Sequence, residues 1–316
     1  MRKSLLLLLG VVLITLLLSS CENSDSAALS ENEEPSAPAM KTTRMYKDFK
    51  GREVEVPVHP ERIVYIGSNP GDLLALGVKP VGASLSVIAS QVAYPDLLNG
   101  IEDVGYPSSV EKVLALKPDL ILFDDWDEAA IDPLTKIAPT VVVGLDGTFP
   151  TEERVTRIAD LLGRSEEARE WFDNYRKKVD TTKAKLNLKG DETATSLLLL
   201  GQDMYVMGNK GLNMTLYGQL GFKPAERAQQ LIDANERFVD VSDEVLPDYI
   251  GSTIFVLTDT SKETAERQAK LTNSGLWKTI PAVKSGRVYW LNSKYNFDDP
   301  ITLDRLLDEM VTVMNK

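Results

Sequence analysis

The sequence predicts an α/β protein built as two lobes joined by one long helix. Three observations carry this. Short β-branched and leucine-rich runs alternate with short helical patterns through the first half of the chain. A charged, amphipathic stretch of helical period, 165–186, then interrupts them, and the alternation restarts after it. Two phrases also recur. Leu76-Gly77-Val78-Lys79-Pro80 is echoed by Leu220-Gly221-Phe222-Lys223-Pro224, and Ser109-Val110-Glu111, ahead of a Pro-Asp strand start, by Ser242-Asp243-Glu244. Such alternation builds a mostly parallel sheet covered on both faces. Two such lobes enclose a cleft, and open α/β sheets bind ligands at the carboxyl ends of their strands.

The chain opens with Met1-Arg2-Lys3 and an apolar run from Leu5 to Leu18. About 14 residues is too short for a membrane-spanning helix, which needs about 20, but suits the core of a secretory signal over 1–20. Leu18-Ser19-Ser20-Cys21 resembles a bacterial lipobox, in which the cysteine receives a diacylglycerol thioether and becomes the first residue of the mature chain. Cys21, the single cysteine, is then a lipid attachment point. Residues 21–45, rich in Ser, Glu, Asn, Ala and Pro, bury too little apolar surface to offset ordering entropy and read as a disordered tether.

Within the N-terminal lobe, 46–150, "ERIVYIG" (61–67) is a strand, and "DLLALGV" (72–78) a short helix stopped at Gly77. "VGAS" (81–84) is a second strand, and "SVEKVLALK" (109–117) a helix that Ser109 can cap. "PDLILF" (118–123) and "TVVVG" (140–144) are buried strands. The connecting region, 151–188, holds "TEERVTRIADLLG" (151–163) and the long helix 165–186, which spans roughly 33 Å at about 1.5 Å per residue. In the C-terminal lobe, 189–316, "TSLLLLG" (195–201) is a strand with "DMYVMG" (203–208) as its hairpin partner. A helix over 212–221, strands in 249–258 and 287–292, and a closing helix over 300–315 opened by Pro300 complete the pattern.

Composition removes several function classes. The formal charge is −12, and losing Arg2 and Lys3 with the signal takes it to about −14, which argues against a nucleic-acid partner. Beyond Cys21 no thiol remains for a disulfide or thiolate metal site, and His59 is the one histidine. Imidazole metal clusters and Ser-His-Asp chemistry therefore lack their parts. A surface-anchored α/β hydrolase is the poorest of the alternatives, and no cofactor is expected.

Several ordered phrases resemble the substrate-binding lipoproteins of siderophore and vitamin B12 ABC importers, and most of all their ferric hydroxamate group. These are "GREVEVPVHPERIVYIG", "DLLALGVKPVGAS", "SVEKVLALKPDLILF", "KIAPTVVV", "VDVSDEVLPDYIGSTIFV", "NSGLWKTIPAVKSGRVYWL" and "DDPITLDRLL". The resemblance implies two Rossmann-like lobes on a single long helix, the class III periplasmic-binding-protein fold. It implies a protein without enzymatic activity, anchored by lipid on the extracytoplasmic face of a Gram-positive cell membrane, and a monomer is expected. Such a protein takes up a ferric siderophore, hydroxamate or mixed citrate-hydroxamate, and hands it to ABC permease subunits. Cobalamin and haem are the alternative ligands within the class, with Met207 or Met214 as guesses for an axial haem ligand, and a sensor presenting loaded lobes to a receptor would look the same.

The resemblance places permease docking on Glu111 and Glu244, one per lobe; a carboxylate at a helix start is favoured by the helix dipole and suits a guanidinium fork. Iron arrives already wrapped, so the binder needs aromatic walls and hydrogen-bond donors rather than metal ligands. The candidates are Asn69, Ser84, Ser86, Tyr106 and Trp126 in the first lobe, and Tyr205, Asn213, Tyr295 and Phe297 in the second. Hydroxamate binders often carry an arginine in a Gly-Arg-Gly-Gly-like loop after the strand matching "DMYVMG". This chain has "NKGLNMT" there, so Lys210 or Arg227 replaces that guanidinium or the ligand differs.

Overall fold

A computed structural model describes residues 42–124, 126–144, 149–188 and 190–315. The segment read as a signal, Cys21 and the expected tether up to residue 41 lie outside the described residues. An antiparallel hairpin comes first, β1 (Thr43–Lys47) and β2 (Glu53–Pro57). The segment expected to be tether, 21–45, thus contains the start of a strand. The hairpin is pinned by Arg44, whose guanidinium donates to the Asp160 carbonyl at 2.6 Å.

The first lobe is a five-stranded sheet of β3 (Ile63–Ile66), β4 (Gly82–Ala83), β5 (Glu102–Asp103), β6 (Leu120–Phe123) and β7 (Thr140–Val142). Their order is β5-β4-β3-β6-β7, and every pairing is parallel. Alternate residues of the buried runs feed opposite cores, as a period of two requires. Ile63, Tyr65, Leu120 and Leu122 pack on one face, and Val64, Ile66, Ile121 and Phe123 on the other. An uninterrupted apolar run therefore reads correctly as a strand covered on both sides.

The second lobe contains β8 (Thr193–Leu200), β9 (Asp203–Met207), β10 (Lys223–Pro224), β11 (Phe238–Asp240), β12 (Thr253–Thr258) and β13 (Val288–Asn292). Its order is β11-β9-β8-β12-β13, with β10 beside the start of β8. Here the expectation of a mostly parallel sheet needs correction. β8, β12 and β13 are parallel, whereas β9 runs antiparallel to both β8 and β11. The two-residue turn Gly201-Gln202 returns the chain at once, with Gly201 at φ +59°, so no crossover helix forms.

The recurring phrases mark equivalent places. Gly77 (φ +71°) and Gly221 (φ +86°) each end a helical segment in the left-handed region, before a strand that pairs in parallel with its lobe's first strand. The helical segment of the second lobe is a π-helix, Met214–Leu220. The Ser-x-Glu echo differs in form. Ser109 caps the helix Val110–Ala115 by accepting from the Lys112 amide, whereas 242–245 is a turn before a short 3-10 helix, Leu246–Tyr249.

The helix Ser165–Leu186 divides its apolar face between the lobes. Ala168 and Phe172 belong to the first lobe's core, Tyr175 and Val179 to the second's, and Trp171 packs against both. Trp171 stacks on Tyr175 with centroids 5.2 Å apart. The closing helix Pro300–Met314 adds a non-covalent bridge that the sequence did not announce. Leu306, Leu307 and Met310 lie in the second lobe's core, while Arg305 crosses to Asp96 of the first lobe through two 2.8 Å hydrogen bonds.

Candidate functional site

The loops that follow β3, β4, β5 and β6 converge on one cavity of about 300 Å³, lined by Gly67, Ser68, Ser84, Ile88, Gln91, Tyr106, Asp124 and Trp126. Arg237 and Phe297 line it from the second lobe. A neighbouring compartment of about 640 Å³ shares Gln91 and Phe297 and continues along Leu198, Leu200, Asp259, Asn292 and Lys294. A ligand seat at strand carboxyl ends is where an open α/β sheet supplies loops free of sheet hydrogen bonding.

Of the residues predicted to touch ligand, the structure gathers Ser84, Tyr106, Trp126 and Phe297. Tyr106 and Trp126 form an aromatic wall, with centroids 5.0 Å apart and planes 37° from parallel, and Phe123 supports Trp126 from beneath at 5.5 Å. Tyr106 is 55 % exposed, so its ring is open to contact from the cleft. Ser84 is buried, and its hydroxyl has no hydrogen-bond partner.

The other candidates are not among this cavity's lining residues. Ser86 donates to the Asp103 carboxylate and helps hold the β5 loop. Asn69 is buried, and its backbone N–H donates to the Tyr65 hydroxyl. Asn213 accepts from Ser196 at 2.6 Å and donates to the Met207 and Gly208 carbonyls, so it ties loop to strand. Tyr205 packs edge-on to Phe238, and Tyr295 packs against the second lobe's core. Arg227 pairs with Asp248 at 2.7 Å and lies over the Tyr249 ring. Neither Arg227 nor Lys210 is among the cavity's lining residues. The guanidinium at the cavity belongs instead to Arg237, brought there because β11 pairs with β9.

Asp124 is another lining residue that the sequence did not single out. Its carboxylate accepts from the Ser68 amide at 2.9 Å and from the Ser68 and Tyr65 hydroxyls at 3.2 Å. Glycine is required opposite it, since a Cβ on Gly67 would stand 2.5 Å from the carboxylate oxygens. Burial, opposed by these hydrogen bonds and reinforced by the charge of Asp72, pushes Asp124 up to about 7.

Behind the cavity lies an acidic junction between the lobes. Asp299 caps the closing helix, accepting from the Thr302 amide at 3.1 Å and the Thr302 hydroxyl at 2.7 Å. Gly71 allows the approach, because a Cβ there would collide with the Asp299 carboxylate. Burial pushes Asp299 up to about 7 as well. The folded state thus holds this proton more tightly than the unfolded chain does. The resulting stabilisation is complete below about pH 4 and is lost as pH rises through about 7. Each tenfold gain in proton affinity is worth about 1.4 kcal/mol, so the effect is on the order of 4 kcal/mol. Asp299→Asn, which keeps a capping oxygen, is expected to flatten the fall in melting temperature between about pH 5 and about pH 8. Parallel pH profiles for the two proteins would refute this.

The two docking candidates stand on separate surfaces. Glu111 is exposed in the first turn of its helix and accepts from the Ser109 hydroxyl at 2.8 Å. Its own backbone N–H, with Ser109, holds it below the usual carboxylate range. Glu244 is held low first by the Ser242 hydroxyl and then by its own N–H, so the Ser-x-Glu echo survives as a hydrogen-bond pattern without the helix expected there. It lines an open groove together with Asp203, Asp240 and Asp243.

A family model described as periplasmic binding protein matches residues 63–295. The chain belongs to the periplasmic binding protein family. Among relatives of this binding protein, the iron(3+)-hydroxamate-binding protein YxeB of Bacillus subtilis (strain 168) is 31% identical over 323 residues, covering 100% of this chain and 98% of the relative. A solved FhuD fold-family structure from Bacillus subtilis, the periplasmic binding component of a ferrichrome ABC transporter, aligns with TM-score 0.75 and 31% identity over 86% of this chain and 100% of that one. Staphylococcus aureus SirA, solved with staphyloferrin B, aligns with TM-score 0.71 and 26% identity over 86% of this chain and 99% of that one. The two-lobed fold on a single connecting helix is thereby that of the FhuD-type binding proteins.

The described residues hold no helix long and apolar enough to cross a membrane, and no cluster of three or more His, Cys, Asp or Glu residues placed to hold a metal ion. His59 is exposed, Met207 is buried in the second lobe's core and Met214 is partly exposed; none of them lines the cavity.

Proposed function

We propose that the chain is the extracytoplasmic receptor of an ABC importer, anchored through lipid on Cys21, that captures a ferric siderophore in the cleft and passes it to a permease without chemical change. The observation that carries this reading is the composition of the cleft. Tyr106, Trp126 and Phe297 offer aromatic surface to a bulky organic chelate, and Arg237 offers a guanidinium to its anionic oxygens. Such a seat binds by shape, stacking and hydrogen bonding, and needs no protein ligand to iron. What YxeB is named for binding, and what SirA was solved with, support the same ligand class. Docking would use Glu111 and Glu244.

Titration with ferric hydroxamates tests the reading through tryptophan fluorescence. Trp126 at the wall is expected to be quenched at submicromolar chelate, and Trp126→Phe to lose most of that signal. Trp126→Ala should weaken binding about tenfold to a hundredfold, the usual cost of truncating a central aromatic anchor. Quenching by haem or cobalamin alone would move the assignment to those ligands. Absence of quenching and of heat with every ferric chelate would end it.

A further inference from the structure

The buried carboxylates of the described residues are mostly compensated. Asp48 is clamped by Arg52 at 2.7 Å, Asp72 receives two hydrogen bonds from Arg154, and Asp299 caps a helix. Asp124 differs. It lines the cleft while only 4 % exposed, and no lysine or arginine among the described residues forms an ion pair with it. A carboxylate has about four acceptor positions, and the Tyr65 and Ser68 donors take three. The buried Ser84 hydroxyl, in the same lining, has no hydrogen-bond partner. The paired rings of Tyr106 and Trp126 line the same cavity. A carboxylate with a spare acceptor site, an unsatisfied hydroxyl and two aromatic rings together form the surroundings that an organic ammonium prefers.

We propose that this corner of the cleft is a subsite for a cationic arm of the chelate, an alkylammonium group held by the Asp124 carboxylate, the Ser84 hydroxyl and the rings of Tyr106 and Trp126. The proposal rests on the ferric-siderophore reading and adds the charge of the substituent the cleft selects. The cleft is then polarised. Arg237 meets the oxygen-rich iron centre from the second lobe, and Asp124 meets the ammonium from the first.

The charged and titratable groups around Asp124 are Tyr65 from β3, Asp72 from the helix Gly71–Ala75 with its partner Arg154, and Arg237 and Tyr106 across the lining. Of these, Asp72 opposes ionisation of Asp124. An arriving ammonium must therefore find Asp124 ionised or displace its proton. Below about pH 7 each tenfold rise in acidity costs the ammonium chelate about tenfold in affinity, while a neutral chelate gains nothing from ionisation.

The probes are the ferric complex of a linear trihydroxamate ending in a primary amine and the same complex with that amine acetylated. Their dissociation constants are measured at about pH 5.5 and about pH 8.5. The wild-type chain is expected to prefer the amine at least about tenfold at the higher pH and to lose that preference at the lower. Asp124→Asn should bind both probes alike at both pH values, and its retained affinity for the acetylated probe shows the cleft intact. Should Asp124→Asn bind neither probe, Ser84→Ala decides. A preference reduced at least about threefold supports the subsite, and an unchanged one overturns it. Equal wild-type affinity for both probes at the higher pH, or an Asp124→Asn chain that keeps the preference, overturns the subsite and leaves the siderophore reading standing. If the wild-type chain binds neither probe, the subsite is overturned, and the siderophore reading is then decided by the other ferric chelates.

Discussion

Replacing Arg154 by alanine is expected to destabilise the folded body by about 3–5 kcal/mol, the cost of leaving a buried charge without its partner. The guanidinium is buried, and its Nε and Nη2 donate to the two Asp72 oxygens at 2.6 and 3.0 Å. Its Nη1 lies 3.7 Å from Asp298. Burial opposes the arginine's charge, yet the Asp72 carboxylate raises its pKa above the ordinary value, so the pair is ionised. Without Arg154, Asp72 faces Asp124 and Asp299, whose pKa values it already raises. At roughly 2–4 °C per kcal/mol for a body of this size, the melting temperature should fall by about 10 °C. Asp72→Leu together with Arg154→Met should recover a large part of the loss, since removing both charges leaves no orphan at Asp72. A single-variant fall of less than about 2 °C would show that the bridge is not what holds this junction. The lesion should reach the cleft as well, because Asp298 follows Phe297 directly and the Thr151 hydroxyl donates to the Asp298 carbonyl at 2.7 Å.

That junction also shows which parts of the molecule a sequence can reveal. Strands such as Leu120–Phe123 were legible because every residue is buried, so a bare apolar run names them. The helix Ser165–Leu186 was legible to the residue because its apolar positions keep a helical period although the two halves of that face serve different cores. The hairpin β1–β2 was not anticipated. Its strands alternate exposed and half-buried residues and carry charges, so they resemble polar tether until pairing is known. The antiparallel return of β9 was half legible: its hairpin could be read, but not the consequence for the sheet.

At the site, the aromatic candidates divide: Tyr106, Trp126 and Phe297 line the cavity, whereas Tyr205 packs on Phe238 and Tyr295 on the second lobe's core. Of the polar candidates, Ser84 lines it, whereas Asn213 and Ser86 do not. Asn213 serves its own loop and Ser86 serves Asp103, because short polar side chains satisfy nearby backbone and carboxylate groups first. Arg237 and Asp124 escaped for a common reason. Each owes its place to pairing with distant residues, Arg237 through β9 and Asp124 through Ser68, 56 residues earlier. In sequence, "LILFDDWDE" looks like a strand running into a solvated acidic turn, and nothing local announces that its first aspartate is buried.

The second large effect concerns delivery. Glu111→Ala and Glu244→Ala, separately and together, are expected to leave ferric chelate affinity unchanged within about twofold and to cut uptake by cells. Both carboxylates are exposed, each is kept ionised by a serine two residues earlier, and neither is among the cleft lining. Loss of a charge-assisted hydrogen bond from one lobe should weaken affinity for the permease roughly tenfold to a hundredfold. Loss from both lobes should bring uptake close to that of cells lacking the protein. Charge reversal makes the sharper version: Glu111→Arg with Glu244→Arg should fail to dock at any ionic strength, whereas the single alanine variants should weaken further as salt rises. Uptake kept near wild-type level by the double alanine variant would remove these residues from docking. Weakened chelate binding in the same variant would assign them to the integrity of the lobes instead. The distinction matters because the connecting helix and the Arg305–Asp96 bridge both tie the lobes together, which favours small relative motion on loading. With little closure to sense, recognition of the loaded receptor would depend on how far apart Glu111 and Glu244 are held, and the two single variants should then show unequal losses that do not simply add.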